Sequence, residues 1–521
     1  MIFTLYLTKF ILLIFISFKV FIANDKVYIN GFHIIMTFVL FLSRIHLCFY
    51  NHELNLDEGQ MLSQGITILS DPLVYRSFDP TTGGPINSYF LALFGLFGLS
   101  LDYRTAHFAA LIILSATLLV MLKFVSLRFE AKKAILIIYP VFLLLTTTNS
   151  FDFLHFSSEL IVVFLISVVI YLLERGIKTN YFLIGIILPL GILAKLQALP
   201  ILLSLELIIV MRVIRKVISL KSLLILIFGN LSVIIMFILV LNWQNVLDDF
   251  FLFYFLRNLN FHSSSMTLLG IVTSIKTLFF DNVEVIFYSA ITFFPFFFFR
   301  PIKKFDKLDF YILIEIFIVF VATCYALFRS GSNFYHYLFL FLPFGILASF
   351  HFWQGILLNN LLKNILTLLI GGLLFFQFHK SYRYSSANVN FFSSNGYQKD
   401  IDPISLEILS KKDSGDRLIV WGWDFKYYIN TQLPQGTQLN HFPYLIKPHK
   451  YQDIEIERFR SSILKGNAKF IVDAVPSSIV WYRNNNELSL ENNSKLSYLI
   501  KTKYDLILEN QSIKLYLLKI K

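Results

Sequence analysis

The sequence predicts a polytopic α-helical membrane bundle of about 11–12 transmembrane helices, followed by a C-terminal external α/β domain. Three observations carry this. Hydrophobic residues make up 56% of the chain and charged residues only 15%, with a mean hydropathy of +0.67; soluble domains are about half apolar and about a quarter charged. Apolar runs of roughly spanning length recur from residue 32 to residue 379. Beyond residue 380 those runs shorten, and Asn, Ser, Lys and Asp become common. With 58 Phe residues, the chain has too much apolar surface for one soluble core. In lipid every backbone N–H and C=O must be paired within the segment, which selects helices.

In chain order, the runs fall near 32–50, 105–127, 133–149, 157–174, 181–196, 199–212, 222–242, 283–300, 309–328, 335–356 and 363–379. The pair 181–196 and 199–212 is short for full spans and reads as tilted or partly re-entrant. Residues 1–22 are apolar but carry Lys9 and Lys19. They read as an extra span, an interfacial helix or residues ahead of the true start; no small-residue cleavage site follows to mark a signal peptide. The expected domains are an N-terminal apolar segment (1–31), a transmembrane domain (32–380) with a long first outer loop (51–104), and the external domain (381–521).

The net charge of +12 does not point to nucleic acid, because many Lys and Arg residues sit in short loops between apolar runs. Loop 123–133 holds Lys123, Arg128, Lys132 and Lys133; loop 211–221 holds Arg212, Arg215, Lys216 and Lys221; loop 300–307 holds Arg300, Lys303, Lys304 and Lys307. All three fall on one side of the alternating topology, and the positive-inside rule makes that side cytoplasmic. The loops 51–104, 149–156, around 197, 243–282 and 329–334, and everything after 380, then face outward. Cys48 and Cys324 are the two cysteines, both in apolar runs, so neither a disulfide framework nor metal-ligand spacing is implied. In the C-terminal part "ISLEILSKK" (404–412) reads as a helix, "RLIVWGW" (417–423) and "KFIVDAV" (469–475) as buried strands, and "YDLILENQSIKLYLL" (504–518) as a hairpin.

The outward loops hold the unusual polar residues. "NLDEGQMLSQG" places Asp57 and Glu58 in the first turn of a predicted helix, where the macrodipole favours negative charge. "INSYFLALFGLFG" (86–98), later in the same loop, reads as a helix along the membrane surface. "NSFDFLHFSSEL" (149–160) spaces Asp152, His155 and Glu159 at i, i+3 and i+7, one face of a single predicted helix. Ionisable groups at a membrane boundary face a cavity and are functional by default; the plainer alternative is a solvated helix start. "GILAKLQALP" holds Lys195, which either snorkels to the surface or presents a cation to an anion. Arg257 lies in an aromatic-rich outer loop, and Arg329 and His336 lie at the outer end of a span. Carboxylates act as general bases and cations neutralise phosphate. The combination suits transfer from a phosphate-linked donor, whose leaving group hardly needs a general acid.

Six pieces in this order and sidedness resemble the bacterial GT-C class glycosyltransferases, which include the protein O-mannosyltransferases and the lipid A aminoarabinose transferases. They are "LDEGQ", "YRSFDPTTGGPINSYF", "DYRTAHFAALI", "DFLHFSSEL", "GILAKLQALP" and "SNFYHYLFLFLP", and the external "RLIVWGWDFKYYINTQ" is also similar to the tail domain of some members. The resemblance implies a helical bundle with a surface-helix first loop and an external domain, in the bacterial inner membrane with its active site on the outer face. It implies an inverting transfer of a hexose or pentose from a polyprenyl-phosphate donor to a lipid, glycan or protein acceptor. Asp57 matches the family's catalytic base and Glu58 its acidic neighbour. Lys195 and His336 match positions near the donor phosphate, with Arg76, Arg257 and Arg329 as further cations. Asp79, Asp152, His155 and Glu159 match substrate-side polar positions. The chain has "TTGGP" where many relatives have a "KPPG"-like stretch, so the missing lysine's role falls to Arg76 or Lys195. The resemblance fixes no cofactor; some members of the wider class bind a divalent metal ion, for which Asp57, Glu58 and Asp152 could supply oxygen ligands. Two other classes compete. A flippase or transporter of a lipid-linked sugar places polar groups at the bilayer midplane, often within inverted repeats, and an assembly protein leaves the paired acids unexplained.

Overall fold

The computed structural model describes the chain except residues 1, 22–28, 179, 262–266, 282–284, 287–288, 290–306, 330–332, 353–359, 388–400, 467, 479–485 and 520–521. The first eleven helices are α1 (Ile2–Phe21), α2 (Ile29–Arg44), α3 (Leu56–Ser70), α4 (Pro85–Leu96), α5 (Tyr103–Val125), α6 (Ala131–Thr147), α7 (Phe151–Leu154), α8 (Glu159–Arg175), α9 (Asn180–Ala194), α10 (Leu199–Ile214) and α11 (Leu220–Trp243). Helices Lys307–Phe328, Phe341–Phe352 and Asn360–Ala387 follow, and then the C-terminal mixed segment. Among the described residues five helical segments are long and apolar enough to cross a membrane: Tyr103–Val125, Leu196–Ile214, Leu220–Trp243, Phe310–Phe328 and Tyr335–Phe352. Shorter apolar helices, among them Gly31–Arg44 and Asn180–Ala194, match other expected runs. The expected run 283–300 lies almost wholly outside the described residues.

The chain divides into two compact units that do not follow chain order. The first comprises Met1–Tyr50, His107–Met236 and Ser264–Gly396; the second comprises Asn51–Ala106, Phe237–Ser263 and Tyr397–Lys521. The expected division kept loop 51–104 with the transmembrane domain, whereas the compact unit joins it to the C-terminal residues.

The first unit is a helical bundle. Without water to drive apolar faces together, membrane helices associate through close backbone approach at small residues. Helices α9 and α11 do so at Gly185 and Gly229: a Cβ on Gly185 would stand 2.2 Å from Leu226 O, and one on Gly229 2.5 Å from Phe182 O. Asn230 on α11 then donates to Glu206 on α10 (2.8 Å). The basic ends of the bundle are tied by carboxylates. Arg212 donates to Glu174 (2.7 Å) and to Glu315 (2.7 Å), and Arg215 pairs with Glu315.

The second unit carries a four-stranded sheet in the order β1-β2-β4-β3. Its strands are β1 (Leu418–Trp421), β2 (Phe470–Asp473), β3 (Tyr504–Asn510) and β4 (Ile513–Leu518). β1 and β2 are parallel, with Leu418 opposite Phe470; β2 and β4 are antiparallel; β3 and β4 form the expected hairpin. Ile419, Trp421, Phe442, Phe459, Ile471 and Tyr516 fill its core. Helix α3 joins this unit through a polar face. Ser63 Oγ donates to Gln60 O (2.7 Å) and accepts from Gln435 Nε2 (3.1 Å) and Asn440 Nδ2 (2.8 Å). Thr67 Oγ1 accepts from Gln435 N (3.0 Å), and Asp79 N donates to Gln438 O (2.8 Å). Buried polar groups are costly unless paired, so these bonds require α3 and segment 435–441 to fold as one body.

Candidate functional site

The first unit gathers a buried polar cluster from α7, α8, the residues after α9 and the 3₁₀ turn Tyr335–Leu340. Residues 149–160 are not the single helix the spacing predicts. Helix α7 ends at Leu154, His155 is extended, and α8 begins at Glu159. The break still brings all three predicted residues into one unit, on different partners. Asp152 accepts from His336 Nδ1 (3.2 Å) and from Tyr335 N (3.3 Å). Burial alone would raise the Asp152 carboxyl, but the hydrogen bond from His336 holds it below the usual carboxylate range. The His155 ring meets the His336 ring edge-on at 5.2 Å, and its Nδ1 contacts Phe151 O at 2.9 Å. Glu159 pairs with Lys195 Nζ at 2.8 Å, and the same ammonium donates to Ser158 Oγ (2.6 Å) and sits 5.6 Å from the Tyr337 ring centre. Lys195 is only 3% exposed, so it does not snorkel to the surface. Arg329 closes helix Lys307–Phe328, half-buried, with its N–H on Tyr325 O. An apolar pocket of about 60 Å³ uses the same short segments, lined by Phe153, Leu338 and Phe341 together with Val141 and Leu144.

The second unit holds Asp57 and Glu58, and the helix separates their roles. Asn55 is the N-cap of α3, and its side chain accepts from Asp57 N (3.0 Å). Glu58, fully buried, turns back to accept from Leu54 N (2.6 Å), a backbone donor one residue ahead of the N-cap. Asp57 is half-buried, and its carboxylate takes no part in the bond to Leu54 N. Beside them lies Glu53, which sequence reading passed over. Its Oε2 accepts from Tyr103 Oη (3.1 Å), and a Cβ on Gly59 would stand 3.2 Å from that oxygen, so the glycine of "LDEGQ" makes room for it. Burial, then the neighbouring Asp424 and Glu58 charges, push the Glu53 carboxyl up to about 8. Glu53 is therefore protonated at neutral pH and a proton donor by chemistry.

Arg257 and Asp79 are partners of each other. Arg257 is fully buried and forks onto Asp79 (Nη1–Oδ2 2.7 Å, Nη2–Oδ1 3.0 Å), while Nη1 also reaches Glu455 Oε1 (2.6 Å). Arg458 completes the quartet, 3.8 Å from Asp79 and 3.6 Å from Glu455. Burial would raise Asp79, but the Arg257 charge overrides it and keeps Asp79 ionised below its ordinary range. Glu455 is raised by burial and, against the pull of Arg257, by the Asp79 charge. Glu455 and Arg458 also escaped the sequence reading, since acid and base at i, i+3 look like a solvated helix face. Arg76, half-exposed, pairs with Asp71 at the C-terminal end of α3 (3.0 Å). Among the described residues no three His, Cys, Asp or Glu side chains are grouped to hold a metal ion.

No protein-family model matches this chain, and no curated protein matches it. Solved structures do. Crystal structures of ArnT from Cupriavidus metallidurans, one bound to undecaprenyl phosphate and one in the apo state, match it at 12% and 13% identity. Each alignment covers 94% of this chain and 98% of that one, with a TM-score of 0.57. The chain thus shares the ArnT fold over nearly its whole length, and the expected bundle with a C-terminal α/β part is the observed architecture.

Proposed function

We propose that this protein is a membrane glycosyltransferase that moves a sugar from a polyprenyl-phosphate donor to an acceptor at the outer face of the bacterial inner membrane. The carrying observation is the end-to-end fold likeness to ArnT, whose crystal structure holds undecaprenyl phosphate. The buried polar cluster around Lys195 and His336 supports the same reading, because ionisable groups inside an apolar bundle mark functional positions. The basic loops are assigned to the cytoplasm, which leaves loop 51–104 and residues 381–521 outside.

In the proposed reaction the acceptor hydroxyl attacks the anomeric carbon from the face opposite the phosphate. The new C–O bond forms, the bond to the phosphate oxygen breaks with its electron pair, and polyprenyl phosphate leaves. Configuration inverts. Asp57 takes the acceptor proton. Lys195 and His336 are the first unit's cations of the kind that binds phosphate, and each is already oriented by a carboxylate, Glu159 and Asp152. Neither a cofactor nor a metal ion enters any step.

The test is turnover by the purified full-length protein in nanodiscs, given polyprenyl-phosphate hexose or pentose with lipid, glycan and peptide acceptors. Release of polyprenyl phosphate is expected. General-base catalysis is worth about 10²–10⁴-fold, so Asp57→Asn loses rate on that scale while still binding donor. Donor moved across a vesicle membrane without being consumed would make the protein a flippase, and near-normal turnover by Asp57→Asn would move the base elsewhere.

A further inference from the structure

We infer that the second unit carries a separate binding site for a hydroxylated monoanion of the sugar-acid class, at the end of α3 remote from Asp57. The site is a pocket of about 270 Å³, room for one sugar ring. Its lining includes Arg76 and Arg417, Asp71, Gln435, Thr437 and Ser462.

Charge sets the first requirement. Arg76 pairs with Asp71 at 3.0 Å, and Arg417 lies 3.9 Å from the same carboxylate. Two guanidiniums share one carboxylate, so the pocket keeps one unit of positive charge. Hydrogen bonding sets the second. Gln435 Oε1 and Thr437 Oγ1 are buried and have no protein partner, in residues only 1% and 3% exposed. The Gln435 amide orientation is fixed by its neighbours. The Ser63 hydroxyl spends its proton on Gln60 O, so it can only accept from Gln435 Nε2. The amide oxygen is left as an acceptor that needs a donor. Buried polar atoms without partners are uncommon in native structures, and a ligand is one way to satisfy them. A ligand hydroxyl answers Gln435 and Thr437, and a ligand carboxylate answers the surplus guanidinium. A uronic acid residue has both.

Helix α3 separates this pocket from the candidate base. Asp71 follows Asp57 by fourteen residues, roughly 21 Å along a helix. The pocket is too distant for the sugar being transferred. It suits a residue further along a glycan acceptor, a role that rests on the transferase reading proposed above, whereas the binding itself does not.

The experiment uses full-length protein in nanodiscs and needs no turnover. Galacturonate, glucuronate, neutral galactose and inorganic phosphate are compared by saturation-transfer NMR and titration calorimetry. Both uronates are expected to bind, with galactose about ten- to a hundredfold weaker for want of the charge-assisted contact. Arg76→Gln should weaken uronate about tenfold with the unliganded melting temperature unchanged. Thr437→Val should weaken it several-fold while the unliganded protein melts at the same or a higher temperature, because the buried hydroxyl it removes has no partner. Asp57→Asn should bind uronate as the wild type does. Uronates binding no better than galactose, either pocket variant binding like wild type, or phosphate alone binding would each overturn the assignment. Uronate binding in a protein that transfers no sugar would support the site and remove its acceptor role.

Discussion

Arg257→Met is the sharpest test of how the second unit is built. Asp79 and Glu455 are both fully buried, and Arg257 bridges them at 2.7 and 2.6 Å. In the variant only Arg458 remains, at 3.8 and 3.6 Å. Removing one partner from a buried ion pair typically costs about 3–5 kcal/mol, because the remaining charge is uncompensated. For a unit of this size each kcal/mol moves the melting temperature by about 2–4 °C, so a fall of roughly 6–20 °C is expected by scanning fluorimetry at pH 8. The pH dependence identifies the cause. The Glu455 carboxyl is raised above its unfolded value, so its neutral form favours the fold at low pH and that contribution is lost as pH rises through the folded value. In the wild type Asp79 is shifted the other way, because the Arg257 charge overrides burial; the substitution removes that opposing charge. With Arg257 gone, burial acts on both carboxyls with less opposition, so acidifying the variant should favour their neutral forms and narrow its deficit relative to pH 8. Glu455→Gln in the same background should recover it at pH 8. A variant as stable as wild type at both pH values, but with weakened donor binding, would refute this and make Arg257 a ligand of the donor phosphate.

Glu58→Gln keeps an oxygen for Leu54 N and should fold and turn over nearly normally, whereas Glu58→Ala leaves a buried N–H unpaired and should cost about 1–3 kcal/mol, read as a lower melting temperature. Lys195→Met strands the Glu159 charge and should destabilise the first unit by about 3–5 kcal/mol; adding Glu159→Gln should restore the melting temperature but not donor-dependent turnover, and restored turnover would confine Lys195 to a structural role. Glu53 is a raised acid, so the stability it lends is lost as pH rises from the ordinary carboxylate range through about 8. The wild-type melting temperature should drop between pH 6 and pH 9, and Glu53→Gln should flatten that drop.

What could be read in the sequence was whatever one period or one composition decides. The spans 105–127, 222–242 and 309–328 appear as α5, α11 and Lys307–Phe328, because a long apolar run has one solution in lipid. The hairpin 504–518 was legible because strand alternation and a polar turn agree. The break at His155–Ser158 was not, since "LHFSSEL" contains no proline or glycine to interrupt a helix. Asp152, His155, Glu159, Lys195 and His336 were named from sequence, but their pairing was not, because His336 stands 184 residues from Asp152. The helix start was available, since Asn55 followed three residues later by Glu is a start signature, but not that the Glu58 carboxylate would reach past the N-cap to Leu54 N. The grouping of loop 51–104 with the C-terminal residues was hidden, since Ser63 and Thr67 look solvated until Gln435 and Asn440 meet them.

That hidden face bears on the opening pair of acids. Apolar packing alone tolerates rotation of a helix about its axis, because it is not directional. Helix α3 is instead held by directional bonds from segment 435–441, two of them at Ser63 Oγ and one at Thr67 Oγ1, in residues fully buried in the second unit. Adjacent side chains on a helix point about 100° apart. A rotation of that size would exchange the settings of Asp57 and Glu58, putting the Glu58 carboxylate outward and burying the other without Leu54 N to receive. Satisfied buried networks of this kind specify one arrangement more than they add stability. The polar stripe of α3 therefore selects one setting of the two neighbouring acids, with Glu58 turned back onto Leu54 N and the Asn55 side chain on Asp57 N.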